Sequence, residues 1–146
     1  MTIFAEETHE ESAGFRQTLV QGGSGHVELL SAGQGPLIIY RAADKSLQCI
    51  GAQAVPLGVL PELEGSIPLH LSMNSGDLLL LVTDGFLEWE NPAQEEFGSK
   101  RLAEVLTRFS DREPEVIIVE IYNSVRGFSQ GTPQKDDLTA VLIKAL

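Results

Sequence analysis

One stretch of the chain is apolar without interruption: Leu78-Leu79-Leu80-Leu81-Val82, set between Asn74-Ser75-Gly76-Asp77 and Thr83-Asp84-Gly85. So short a run between turn formers predicts a strand buried on both faces. Residues 138–144 predict a second such strand, entered from Lys135-Asp136-Asp137. Upstream, residues 2–5, 15–21, 26–31, 36–41, 46–50 and 66–71 read as further strands. Gly22-Gly23-Ser24-Gly25, Ala32-Gly33-Gln34-Gly35 and Ala43-Asp44-Lys45 separate several of them as turns.

The period then changes. Leu102, Val105, Leu106 and Phe109 stand at i, i+3, i+4 and i+7, which predicts an amphipathic helix over residues 99–109 with Ser99 as its N-cap. Pro114 suits the first turn of a second helix, capped by Ser110 or Asp111. Val116, Ile117, Ile121, Val125 and Phe128 keep one face of it. The β-branched run 116–119 by itself would argue strand, but the pattern continues to Phe128 and favours helix. Residues 129–135 form a polar loop before the last strand. Strands, two consecutive helices and a strand predict an α+β fold with helices packed on sheet.

With 146 residues, the chain is expected to be a single domain spanning 1–146 with a core of its own. No apolar run approaches the ~20 residues needed to span a bilayer. Residues 1–11 have neither the basic start nor the apolar centre of a secretory signal. Cys49 is the sole cysteine, so an internal disulfide and a cysteine-based zinc site are excluded. These features lead to the expectation of a cytoplasmic protein. A net charge of -11 argues against nucleic acid and against an anionic membrane surface as partners. It suits a metal ion, a basic partner or plain solubility.

The candidate chemistry sits where the two apolar strands end. Asp84 follows one of them directly, and Asp136 immediately precedes the other. If those strands are neighbours, both carboxylates project from one sheet edge. Hard oxygen donors select Mg²⁺ or Mn²⁺ over softer metals. Gly85 would let the backbone turn sharply and let a ligand approach closely. The plainer reading is also open, because Asp-Gly is a common turn pair and Asp136-Asp137 suits a solvated loop. Asp77 reads as a turn acid.

Thr83-Asp84-Gly85-Phe86-Leu87-Glu88, then Phe97-Gly98, then Asp136-Asp137-Leu138-Thr139, resemble the C-terminal part of a bacterial metal-dependent serine/threonine phosphatase. The likeness is to the SpoIIE-like and RsbU-like branch of the PPM class. Ala32-Gly33-Gln34-Gly35-Pro36 and Pro56-Leu57-Gly58 are similar to two further landmarks of that family, so the likeness runs from about Val27 to the end. It implies an antiparallel β-sandwich flanked by helices, a four-layer αββα arrangement. It also implies a two-metal site taking Mn²⁺ or Mg²⁺, and hydrolysis of phosphoserine or phosphothreonine on a regulatory protein. Asp84 and Asp136 match metal ligands; Gly85, Asp137 and Thr139 match positions around them.

Two departures accompany the likeness. Gln34 stands where the family usually has His, and an amide cannot titrate. No Asp-Gly pair precedes Asp84, so the family's first metal motif is expected to be absent. The chain then reads as a domain lacking its N-terminal metal-binding segment, with weak metal affinity and with exposed sheet edges that invite a homodimer. A non-catalytic protein-binding module that kept the fold is the alternative, and an incomplete chain stabilised by dimerisation is a third. Elsewhere, His26 reads as a strand-end residue, Trp89 as a cover over the loop after Asp84, Cys49 as a small core residue, and Arg41 as a surface arginine. His9 and His70 suggest no partner.

Overall fold

The computed structural model describes residues 2–8, 15–23, 25–32, 36–51 and 67–146. In chain order the elements are β1 (Thr2–Thr8), β2 (Phe15–Gly23), β3 (His26–Ala32), β4 (Leu37–Tyr40), β5 (Leu47–Ile50), β6 (Leu69–Ser72) and β7 (Leu78–Val82). Then come the one-turn helix α1 (Gly85–Glu88), α2 (Gly98–Phe109), α3 (Pro114–Ser129) and β8 (Ala140–Lys144). The strands form two antiparallel four-stranded sheets, in the orders β1-β2-β3-β6 and β5-β4-β7-β8. The expected α+β sandwich is what forms. The landmarks at residues 33–35 and 56–58, Gln34 among them, and His9 lie outside the described residues.

The apolar run of β7 is explained by its place in the middle layer. Leu79 and Leu81 face the other sheet together with Leu37 and Ile39 of neighbouring β4, and they pack with Leu29 of β3 and Met73. Leu78, Leu80 and Val82 face the helices, where they meet Ile38, Tyr40, Leu102, Leu106, Ile117, Ile121 and Val125. Antiparallel strands usually alternate because one face is wet. Here sheet covers one face and helices cover the other, so every residue of β4 and β7 is buried. Each such leucine contributes about 1.5–3 kcal/mol by leaving water. The two strands register directly, Tyr40 opposite Leu78 and Leu37 opposite Leu81.

The helices follow their periodicity with shifted ends. α2 begins at Gly98, and no side chain caps it, so Ser99 lies inside the helix rather than at its N-cap. Pro114 does open α3, but the capping position is Glu113, not Ser110 or Asp111. Ser110 instead ends α2, and its hydroxyl meets the Tyr40 hydroxyl at 3.1 Å. Val116 is exposed on α3 while Ile117, Ile121 and Val125 are buried. The buried face is thus narrower than the sequence pattern suggests. Cys49 is exposed on β5, an edge strand, and is not a core residue.

Asp77 and Arg41 depart furthest from expectation. Asp77 is 1% exposed. One carboxylate oxygen accepts the Ala42 amide at 2.8 Å; the other accepts the Asn74 amide at 3.0 Å and the Arg41 guanidinium at 2.8 Å. The same guanidinium group donates to the Ser72 carbonyl of β6. Arg41 is therefore a bridge between the turn before β7, the end of β4 and the other sheet. Burial pushes the Asp77 pKa up, but the Ala42, Asn74 and Arg41 hydrogen bonds outweigh it and hold the carboxyl below its ordinary 3.8. A depressed carboxyl stabilises the fold above its unfolded pKa, and that contribution is lost as pH falls through the folded value. Asp77→Asn is expected to cost about 2–3 kcal/mol at neutral pH, the scale of hydrogen bonds to a charged group. It is also expected to flatten the loss of stability below pH 3.8. Urea unfolding of both proteins at neutral and acid pH measures this; equal acid sensitivity would contradict it.

Candidate active site at the β7–β8 edge

β7 and β8 pair antiparallel, with Val82 opposite Ala140 and Leu78 opposite Lys144. The C-terminal end of β7 therefore lies beside the N-terminal end of β8. Asp84, just past the first, and Asp136, just before the second, belong to the same sheet edge, as the sequence led us to expect.

The side chain that fastens this edge is Thr83, whose role the motif alone does not reveal. It is 3% exposed. Its hydroxyl donates to the Asp137 carbonyl at 2.9 Å and accepts the Thr139 amide at 3.1 Å. Its own amide donates to the Thr139 carbonyl at 3.0 Å. One threonine thus continues the ladder beyond the last paired residue and closes the loop after α3 onto the loop before α1. A threonine directly after a buried apolar strand was the available signal, since a hydroxyl there can serve both donor and acceptor.

Gly85 works in the same clamp. It is buried, and a Cβ on it would lie 2.5 Å from the Asp137 carbonyl oxygen. The glycine is required by the approach of the chain's own backbone rather than by a left-handed turn. Asp137 and Thr139 are both exposed and engage Thr83 through backbone atoms. Asp136 is half-buried, and its carboxylate accepts the Asp137 amide at 2.7 Å.

Asp84 is half-buried, with its Oδ1 buried. Its carbonyl accepts the Leu87 and Glu88 amides at 2.7 and 2.8 Å, which winds α1. Its side chain does not cap that helix. Past α1, Trp89 is buried, and its ring N–H donates to the Thr132 carbonyl at 3.2 Å. The Thr132 hydroxyl donates to the Glu90 carbonyl. Trp89 therefore ties the loop after Asp84 to the loop after α3 and is a structural cover, as expected. A cleft of about 110 Å³ beside this edge is lined by Gly85, Glu88, Trp89, Glu90, Glu96, Lys135 and Asp136. Within it Lys135 pairs with Glu90 at 2.8 Å.

The all-oxygen character of Asp84 and Asp136 suits a hard divalent ion. The set is short, however: among the described residues no three His, Cys, Asp or Glu side chains come close enough together to hold a metal. The described residues thus fit part of a metal site and not a complete one.

The family described as Stage II sporulation protein E (SpoIIE) matches residues 6–146. The chain belongs to the SpoIIE family. The match begins well before Val27, so it also takes in the end of β1 and all of β2. Protein IcfG of Synechocystis is 26% identical over 120 residues, covering 82% of this chain and 18% of its own. The SiaA-PP2C domain of Pseudomonas aeruginosa superposes with a TM-score of 0.73 at 19% identity, over 90% of this chain and 52% of that one. The RsbU and RsbW domains of Rv1364c from Mycobacterium tuberculosis give 0.66 at 20% identity, over 92% and 38%. The manganese-presoaked phosphatase domain of SpoIIE from Bacillus subtilis gives 0.57 at 16% identity, over 99% and 56%. The fold of this SpoIIE-family chain is therefore that of PP2C/PPM phosphatase domains, and the chain spans 38–56% of the three solved chains named.

Two variants test the clamp. Gly85→Ala is expected to cost about 1–3 kcal/mol, as overpacking against an immovable carbonyl does, with the Thr139 amide exchanging faster. Thr83→Val removes both hydroxyl bonds and should cost about 1–3 kcal/mol by leaving a part-buried carbonyl and amide without their partner. Thr83→Ser should restore most of it. Thermal melts with amide exchange at Thr139 measure both, and wild-type protection in either valine or alanine variant would refute the clamp.

Proposed function

We propose that this chain is a phosphatase-type module whose β7–β8 edge contributes the Asp84 and Asp136 carboxylates to a Mn²⁺ or Mg²⁺ site. Its reaction is hydrolysis of phosphoserine or phosphothreonine on a regulatory protein. The observation that carries this reading is the pairing of β7 with β8, locked by Thr83, which brings two acids from distant parts of the sequence to one edge. Membership of the SpoIIE family supports the reaction class. A bound divalent ion would supply an activated water and offset charge on the phosphoryl group. The chain's own residues orient the donors: Thr83 and Gly85 fix the spacing of the two loops, and Trp89 closes the side of the edge nearest α1.

A second reading is a protein-binding module with the phosphatase fold and no turnover. It is favoured by the shortage of a third donor among the described residues. Calorimetric titration of Mn²⁺ separates the two. The phosphatase reading expects saturable binding that disappears in Asp84→Asn/Asp136→Asn, together with Mn²⁺-dependent release of phosphate from a phosphoserine peptide. Wild-type protein that neither binds Mn²⁺ nor releases phosphate would leave the binding-module reading in its place.

A further inference from the structure

The opposite end of β7 carries a second and larger cleft. It is about 450 Å³, within the range of small-molecule sites, and lies between the turn after β4, the C-terminal end of α2 and the end of β8. Tyr40 and Lys144 both stand opposite Leu78, the first residue of β7. Asp84 comes six residues later, so at ~3.3 Å per residue about 20 Å separates this cleft from the acidic edge.

Its charge runs against that of the chain. Lys45, Arg108 and Lys144 line it, with Asp111 as the one carboxylate among the lining residues. They are three of the ten lysines and arginines in a chain of net charge -11. Of the three, Lys144 is held in place by hydrogen bonds. The Lys144 ammonium donates to the carbonyls of Ser110 at 3.2 Å and Arg112 at 2.7 Å, which fixes it without cancelling its charge. Lys45 takes a left-handed backbone, φ 59°, in a turn closed by the Arg41 amide on the Ser46 carbonyl at 2.9 Å. Arg108 belongs to the last turn of α2. The paired hydroxyls of Tyr40 and Ser110 add neutral polar groups to the wall.

We infer that this cleft binds a compact phosphate-bearing small molecule. Three cationic residues lining one open cleft suit a multivalent anion of small radius. The surrounding negative field disfavours an extended polyanion such as nucleic acid. The site is independent of the metal reading, because none of its lining residues belongs to the Asp84 edge.

The test is an NMR titration of the intact chain with inorganic phosphate, pyrophosphate and citrate at low ionic strength. A chelator is present, so that no metal at the other edge contributes. Saturable shifts at residues 40–45, 107–111 and 144 are expected, stronger for pyrophosphate than for citrate. In Lys45→Gln/Arg108→Gln, whose two sites are exposed, affinity should fall by about tenfold or more. Absence of saturable shifts, shifts confined to the Asp84 edge, or undiminished binding in the double variant overturns the site. Citrate binding as tight as pyrophosphate overturns its assignment to phosphate.

Discussion

Everything else in this chain depends on β7 being buried on both faces. A strand with only one dry face would need polar residues at alternate positions, and its register could be read from that alternation. β7 has none, so its apolar pattern leaves the register free. The register is set instead at its two ends by polar groups that cannot be satisfied elsewhere. At the start, the Asp77 carboxylate is held by Arg41 and by the Ala42 and Asn74 amides. At the finish, the Thr83 hydroxyl is held between Asp137 and Thr139. Each of these groups would lose its partners if β7 slipped by one residue, and a buried charge or carbonyl without partners is costly.

This division of labour explains what the sequence disclosed. The apolar runs, the helical spacing of Leu102, Leu106, Ile117, Ile121 and Val125, and the order of elements announce an α+β fold, because burial is written in residue type. The placing of the Asp84 and Asp136 loops at one end of the sheet follows from the pairing of two apolar strands of matching length. The motif order around them carries the family.

What stayed hidden depends on long-range pairing. Asp77 looks like any acid in an Asn-Ser-Gly-Asp turn, and nothing local says that Arg41, 36 residues earlier, will reach it. Arg41 likewise reads as surface until the second sheet supplies the Ser72 carbonyl. Cys49 looks apolar enough for a core, yet β5 is an edge strand whose side chains at residues 47–49 are exposed. Gly85 was legible as a place of close approach, but not that the Asp137 carbonyl of the chain itself comes so near.

The same strand separates two electrostatic environments. Its C-terminal end leads into the loops that carry Asp84 and Asp136 and a cleft lined by Glu88, Glu90, Glu96 and Asp136, and its N-terminal end lies by the cleft lined by Lys45, Arg108 and Lys144. Hydrogen bonding in the β7–β8 ladder fixes both ends at once, because one register places Ala140 opposite Val82 and Lys144 opposite Leu78. A change that shifts β8 along β7 must therefore disturb the acidic edge and the basic cleft together. Screening in water attenuates direct charge interaction over such a distance. Any influence of one end on the other then has to pass through the ladder itself, and Thr83 is the polar side chain best placed to transmit it.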